Sequence, residues 1–328
     1  MDFDLTEDQK EIKRVAHELL GARSPWARVR EHAEAGRYDE ALWNELVDLG
    51  WPGIAVAEEF GGQGLGLVEL AVLAEESGYA LAAAPLVSTG AVAAALSAAG
   101  NDEMRERLLS GLMDGSLRAG FGTRGLAADA AGAAAVVVLE GEEAMLVDGA
   151  AAQPFTAIDP TRRYGTVGGD AGGTPLGAGA AERIRIVLAA ETLGVCQRAL
   201  EMTLEYVKDR KQFGVAVGSF QAVSHRCAQM LLDTESARSA VYFAAWTADA
   251  EPERLAEGAA LAAAAAGRAG REVTASAIQA HGGIGFTWEA DVHWMYKRAQ
   301  CSAQLLGSAG GHHVRLARLA AARVGAGV

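Results

Sequence analysis

Apolar residues recur at helical spacing over both ends of this 328-residue chain and alternate with turns only in its middle. Thr6-Glu7-Asp8-Gln9 is a capping-box pattern ahead of Ile12, Val15 and Leu19. Asp39 can cap a helix carrying Leu42, Trp43, Leu46 and Leu49, which Gly50 ends before Trp51-Pro52. Glu58 to Gly64 loses periodicity in its glycines and reads as a loop, and Leu67–Ala83 reads as the next helix. Residues 1 to about 112 are therefore expected to be helical. In the middle, Ala135–Leu139 and Ala144–Val147 are short β-branched or apolar runs around Gly141-Glu142-Glu143, a strand pair. Gly165–Gly179 is Gly-rich and expected to be loop or edge. From Ala180 the helical period returns in three long runs, Ala180–Asp209, Phe220–Ala248 and Glu253–Gln279.

These runs predict a mainly α protein: an N-terminal helical domain (1–115), a small β domain (116–178) and a C-terminal bundle of long helices (179–328). Alanine makes up much of the apolar half, and no apolar run has the length and bulk of a membrane span. The start, Met1-Asp2-Phe3-Asp4, is acidic and lacks the basic segment of a signal peptide. Cys196, Cys227 and Cys301 are too scattered for a disulfide framework or zinc site, so a reduced cytoplasm is expected. A net charge of −13 argues against nucleic acid or an anionic membrane as partner, while leaving room for an anionic cofactor held by local arginines.

Two junctions carry candidate chemistry. Arg210-Lys211-Gln212-Phe213-Gly214 joins the first two long helices, and Gln279-Ala280-His281-Gly282-Gly283-Ile284-Gly285 closes the third. An arginine fork beside backbone opened by glycine suits a phosphate. Each junction alone also reads as a solvated helix end with a glycine cap. Taken together, in this order and between helices of this length, they resemble the flavin-binding segments of acyl-CoA dehydrogenases. The resemblance extends to Leu42-Trp43, Leu49-Gly50-Trp51, Glu59-Phe60-Gly61-Gly62 and Glu75-Glu76-Ser77-Gly78, and covers nearly the whole chain.

The resemblance implies an acyl-CoA dehydrogenase-like fold and FAD-dependent desaturation of an acyl-CoA, with an electron-transfer flavoprotein as acceptor. It implies that Arg210 meets the FAD pyrophosphate. Gln212 and Phe213 would lie beside the adenosine half, and Gln279, Gly282 and Gly283 would touch the same cofactor, all in trans on a neighbouring subunit's flavin. Other family features are missing. Ala119–Gly125 lacks the carboxylate of the segment that meets the flavin ring. At the two positions where the family places its catalytic Glu stand Leu306 (in Leu305-Leu306-Gly307-Ser308) and Ile184 (before Arg185). No catalytic residue is therefore assigned. The chain resembles the base-less subunit of the actinobacterial heterotetrameric (α2β2) enzymes, whose partner is a homologous catalytic subunit and whose substrates include steroid CoA esters.

The alternatives are a self-sufficient enzyme using Glu191, one face-repeat beyond Ile184 and about 10 Å along the helix, or a non-catalytic scaffold. Glu289 is expected to cap the following helix, and His225 to be packed or capping. Adjacent His312 and His313 point apart on a helix and cannot pair on a metal. The turn Asp159-Pro160-Thr161-Arg162-Arg163 is assigned no chemistry.

Overall fold

The computed structural model describes residues 4–325, so the segment Met1–Phe3 lies outside the described residues. The capping box forms as read. Thr6 Oγ1 accepts from Gln9 N and Gln9 Oε1 from Thr6 N, at 3.2 and 3.0 Å, opening α1 (Glu7–Arg23). The next helix, α2 (Trp26–Ala35), has no side-chain cap and was not separable from periodicity; Pro25 sets its start and Gly36, at φ 60°, ends it. Asp39 Oδ1 accepts from Leu42 N to begin α3 (Glu40–Asp48).

Beyond the glycine loop come α4 (Leu67–Ala80), α5 (Leu86–Ala99) and α6 (Asp102–Met113). The expected helix to Ala83 stops early because Leu81 turns left-handed, at φ 47°, and Pro85 opens α5. Nearly all of α5 is buried, so it has no polar face to reveal its period.

The middle region is a single seven-stranded sheet: β1 (Ala119–Thr123), β2 (Leu126–Ala128), β3 (Ala135–Glu140), β4 (Glu143–Asp148), β5 (Ala152–Pro154), β6 (Gly165–Val167) and β7 (Thr174–Pro175). Their order is β5-β6-β2-β1-β3-β4-β7. The expected pair is the antiparallel hairpin β3–β4, with Val136 opposite Val147 and Val138 opposite Met145. The Gly-rich stretch is not all loop or edge, since β6 pairs with both β2 and β5. Strands of two or three residues are too short to show an alternation.

The C-terminal half is a bundle of α7 (Ala180–Asp209), α8 (Gln221–Ala250), α9 (Leu255–His281) and α10 (Val292–Leu306), flanked by α11 (Ala309–Gly325). Small residues let these helices and the N-terminal region close together. A Cβ on Gly194 would stand 1.8 Å from the Glu75 carbonyl oxygen, and one on Gly78 would stand 2.0 Å from that of Glu191. Helices α4 and α7 thus meet backbone to backbone. Among the described residues no helix is long and apolar enough to cross a membrane.

Candidate functional site

The junction after α7 is a tight hairpin rather than a flexible link. Lys211–Gln212 (β8) pairs with Val215–Ala216 (β9), leaving Phe213 and Gly214 as the two turn residues at φ 53° and 82°. Positive φ at both turn positions matches the twist of a two-residue hairpin. Glycine adopts it freely, whereas phenylalanine does so at a cost.

Phe213 is also 94 % exposed, touching only the edge of the Phe220 ring at 6.3 Å between centroids. A strained backbone carrying a bare aromatic ring has no use within this chain. Arg210 caps α7 through its own N–H to the Tyr206 carbonyl, at 2.9 Å, and its guanidinium makes no hydrogen bond or ion pair among the described residues. Gln212 is exposed, its amide turned onto the Lys211 carbonyl at 2.8 Å.

The second junction lies across a groove of about 540 Å³ whose walls include Arg198, Tyr206, Arg210, His281 and Ile284. Stacking of Tyr206 on His281, centroids 4.5 Å apart, ties the end of α7 to the end of α9. Gln279 is exposed on the last turn of α9, and Gly282, at φ 67°, leads into a 3-10 turn over Gly282–Phe286. No atom of the chain lies within 4 Å of where a Cβ would stand on Gly214, Gly282 or Gly283, so the backbone at both junctions faces open space.

A dinucleotide pyrophosphate fits this donor set: a free guanidinium, open glycine backbone, a free carboxamide and a bare aromatic ring. The groove itself carries Glu205, Asp209, Glu289 and Asp291, so an anion is favoured only at the Arg210 end. Residues 198, 202, 205, 206 and 209 line the groove at helical spacing on α7. That stripe, running into Arg210, was available in the sequence and went unused.

The two base positions are closed. Ile184 and Leu306 are both fully buried, and neither can take a proton. Arg185, beside Ile184, donates to the Gly141 carbonyl, and His312 Nε2 lies 2.7 Å from the Leu306 carbonyl.

Glu191 has a different duty from that of a base. Its Oε1 accepts from Arg298 Nη1 at 2.7 Å and its Oε2 from Arg162 Nη1 at 3.1 Å. Arg298 Nε also donates to Asp159 Oδ2 at 2.7 Å, and Nη2 to Thr161 Oγ1 at 2.5 Å. Arg162 Nη2 faces Asp129 Oδ2 at 3.2 Å, and Asp129 accepts from Tyr38 and Ser88 at 2.9 and 2.6 Å. The turn at 159–163, given no chemistry above, is thus the hub of a buried network joining all three regions.

Glu289 does not cap α10. Asp291 holds that position, and Glu289 N donates to Thr287 Oγ1. His225 is exposed, 3.4 Å from Gln221 Nε2, and not packed.

Burial by itself pushes the Asp159 carboxyl up, but Arg298 and Thr161 outweigh it and hold the group below its ordinary 3.8. Glu75 likewise sits below 4.5, burial being overcome first by Lys13 and Arg238. Burial lowers His281, His293 and His312 below 6.5. In every case the unfolded chain binds the proton more readily, so each contribution is complete above the ordinary value and lost as pH falls through the folded one. The thermal midpoint is expected to decline in two stages on acidification, first below 6.5 and then below 4.5 and 3.8, as a pH series of melting curves would record.

Comparison with known proteins agrees with this architecture. Residues 6–116 match the model of the acyl-CoA dehydrogenase N-terminal domain and residues 172–321 that of the acyl-CoA dehydrogenase C-terminal domain. The chain is 39 % identical over 275 residues to the acyl-CoA dehydrogenase IpdE2 of Mycolicibacterium smegmatis, covering 82 % of this chain and 85 % of that one. Among solved structures it is similar to the Tcur3481-Tcur3483 steroid ACAD, with a TM-score of 0.85 and 28 % identity over 97 % of this chain and 99 % of that one. The ChsE4-ChsE5 complex from Mycobacterium tuberculosis gives a TM-score of 0.85 and 25 % identity over 98 % and 99 %.

The fold and these matches define a flavin-dependent oxidoreductase acting on CH–CH bonds, with FAD as its cofactor. The chain belongs to the acyl-CoA dehydrogenase family.

Proposed function

We propose that this chain is the base-less subunit of a two-component acyl-CoA dehydrogenase and completes the FAD site of a homologous subunit that supplies the catalytic Glu. One contrast carries the reading: Arg210 makes no side-chain hydrogen bond or ion pair among the described residues, Phe213 is bare and the glycines at 282 and 283 are open, while Ile184 and Leu306 are sealed in the core.

Bound FAD supplies the hydride acceptor for α,β-desaturation of an acyl-CoA thioester. This chain's residues would hold that cofactor for the partner. Arg210 would neutralise the pyrophosphate with its fork of donors. Phe213 and Gln212 would lie beside the adenosine half, and Gln279, Gly282 and Gly283 would contact the same cofactor. The solved neighbours named as a steroid ACAD and as a ChsE4-ChsE5 complex support a heteromer acting on a bulky, steroid-like CoA thioester, and the family resemblance implies an electron-transfer flavoprotein as electron acceptor.

Self-sufficient catalysis through Glu191 is disfavoured by the two arginines that occupy its oxygens. Purified alone, the chain is expected to lack stoichiometric FAD and dehydrogenase turnover. Co-expressed with a homologue carrying Glu at a base position, it is expected to yield a yellow, active complex. Turnover and full FAD occupancy by the isolated chain would overturn the proposal, and inactivity with every such homologue would favour a scaffold.

A further inference from the structure

Beyond the groove, the end of α9, the turn that follows it and α10 enclose a second cavity of about 440 Å³, lined chiefly by Ile278, Phe286, Trp288, His293, Tyr296 and Lys297. It shares no lining residue with the groove at Arg210.

Two of its polar side chains, His293 and Lys297, make no hydrogen bond among the described residues. His293 is only 8 % exposed, yet neither ring nitrogen has a hydrogen-bond partner. Trp288 and Trp294 stand against its imidazole, with centroids 4.8 and 4.6 Å away. Lys297 Nζ lies 4.0 Å from the Trp288 ring centroid and 4.9 Å from that of Trp294. It makes no hydrogen bond or ion pair among the described residues. A buried polar group left unpaired is costly, and this imidazole lines the cavity. Burial first, and then the Lys297 charge, hold His293 below its ordinary value and therefore neutral, with one N–H to give.

We propose that this cavity binds a small aromatic or fused-ring carboxylic acid. The ring body lies along Ile278, Tyr296 and the exposed faces of Phe286 and Trp288. The carboxylate accepts from the Lys297 ammonium and from the His293 N–H. The cavity's size falls within the range of small-molecule sites, and apolar walls with a few convergent donors are their usual make-up. A phosphate would find no guanidinium here, and a cation would be repelled by Lys297. The cavity adjoins the turn that carries Gly282 and Gly283 but shares no lining residue with the groove, and the proposal stands whether or not the chain works in a heteromer.

The test is calorimetric titration of 2-naphthoate into the isolated chain and into its complex with the homologous subunit. Saturable binding is expected in both, with neutral 2-naphthalenemethanol binding weaker by about tenfold or more. Lys297→Gln is expected to weaken naphthoate by a similar factor, Lys297→Arg to retain most of it, and Trp288→Ala to weaken acid and alcohol alike. Trp288 is 71 % exposed on a turn, so its truncation leaves the core untouched and circular dichroism should be unchanged. No saturable binding, equal affinity for acid and alcohol, or full affinity in Lys297→Gln would overturn the proposal. Loss of naphthoate binding on assembly would also overturn it, assigning the cavity to a side chain of the partner subunit.

Discussion

Arg298→Met is expected to destabilise the fold by about 3–5 kcal/mol, the usual consequence of stripping one partner from a buried ion pair. Arg298 is among the largest fully buried side chains, and its three nitrogens reach Asp159, Thr161 and Glu191. Methionine fills comparable volume, so the loss reports charge rather than cavity. Two carboxylates then remain in the interior, with Arg162 as the nearest compensating cation. Urea unfolding followed by circular dichroism would measure it. A change within the ±0.5 kcal/mol or so typical of surface sites would mean that the network holds nothing together.

Arg210→Met should leave stability unchanged and instead strip FAD from the assembled complex. The guanidinium makes no hydrogen bond or ion pair among the described residues, so its removal leaves no partner unpaired. A hydrogen bond to a charged group contributes about 1.5–3 kcal/mol, and a bidentate fork on a pyrophosphate makes two. FAD affinity is thus expected to fall by about 100-fold or more, read by flavin absorbance after dialysis. Arg210→Lys restores the charge without the fork and should recover part of the loss. Unaltered FAD occupancy in Arg210→Met would remove Arg210 from the cofactor site.

Much of the fold was legible because it is written locally. Thr6 with Gln9, Asp39 with Leu42, and the glycines at 141, 214 and 282 each act within a few residues of themselves. The limits of α7 could be read because Gly179 and Arg210 bound an uninterrupted period. Helix α5 could not, since burial on all sides erases the polar stripe, and neither could the strands of two or three residues.

The candidate cradle residues come from family resemblance alone, while the local geometry there, a hairpin with an exposed phenylalanine at positive φ, was not legible. The network around Arg298 lay furthest from view. Its partner Asp159 is 139 residues away, and nothing local marks the pairing. One signal existed: Glu191 and Arg298 each interrupt an apolar helix face with a charge, and two opposite charges stranded on neighbouring helices are best satisfied by each other.

That network also limits how the chain can be cut or exchanged. Tyr38 and Ser88 come from the first region, Asp129, Asp159 and Arg162 from the sheet, and Glu191 and Arg298 from the bundle. A bundle expressed from Ala180 onward would keep Glu191 and Arg298 but lose the three charges that offset them. The chain has visible parts, yet its interior charges are balanced only across all three.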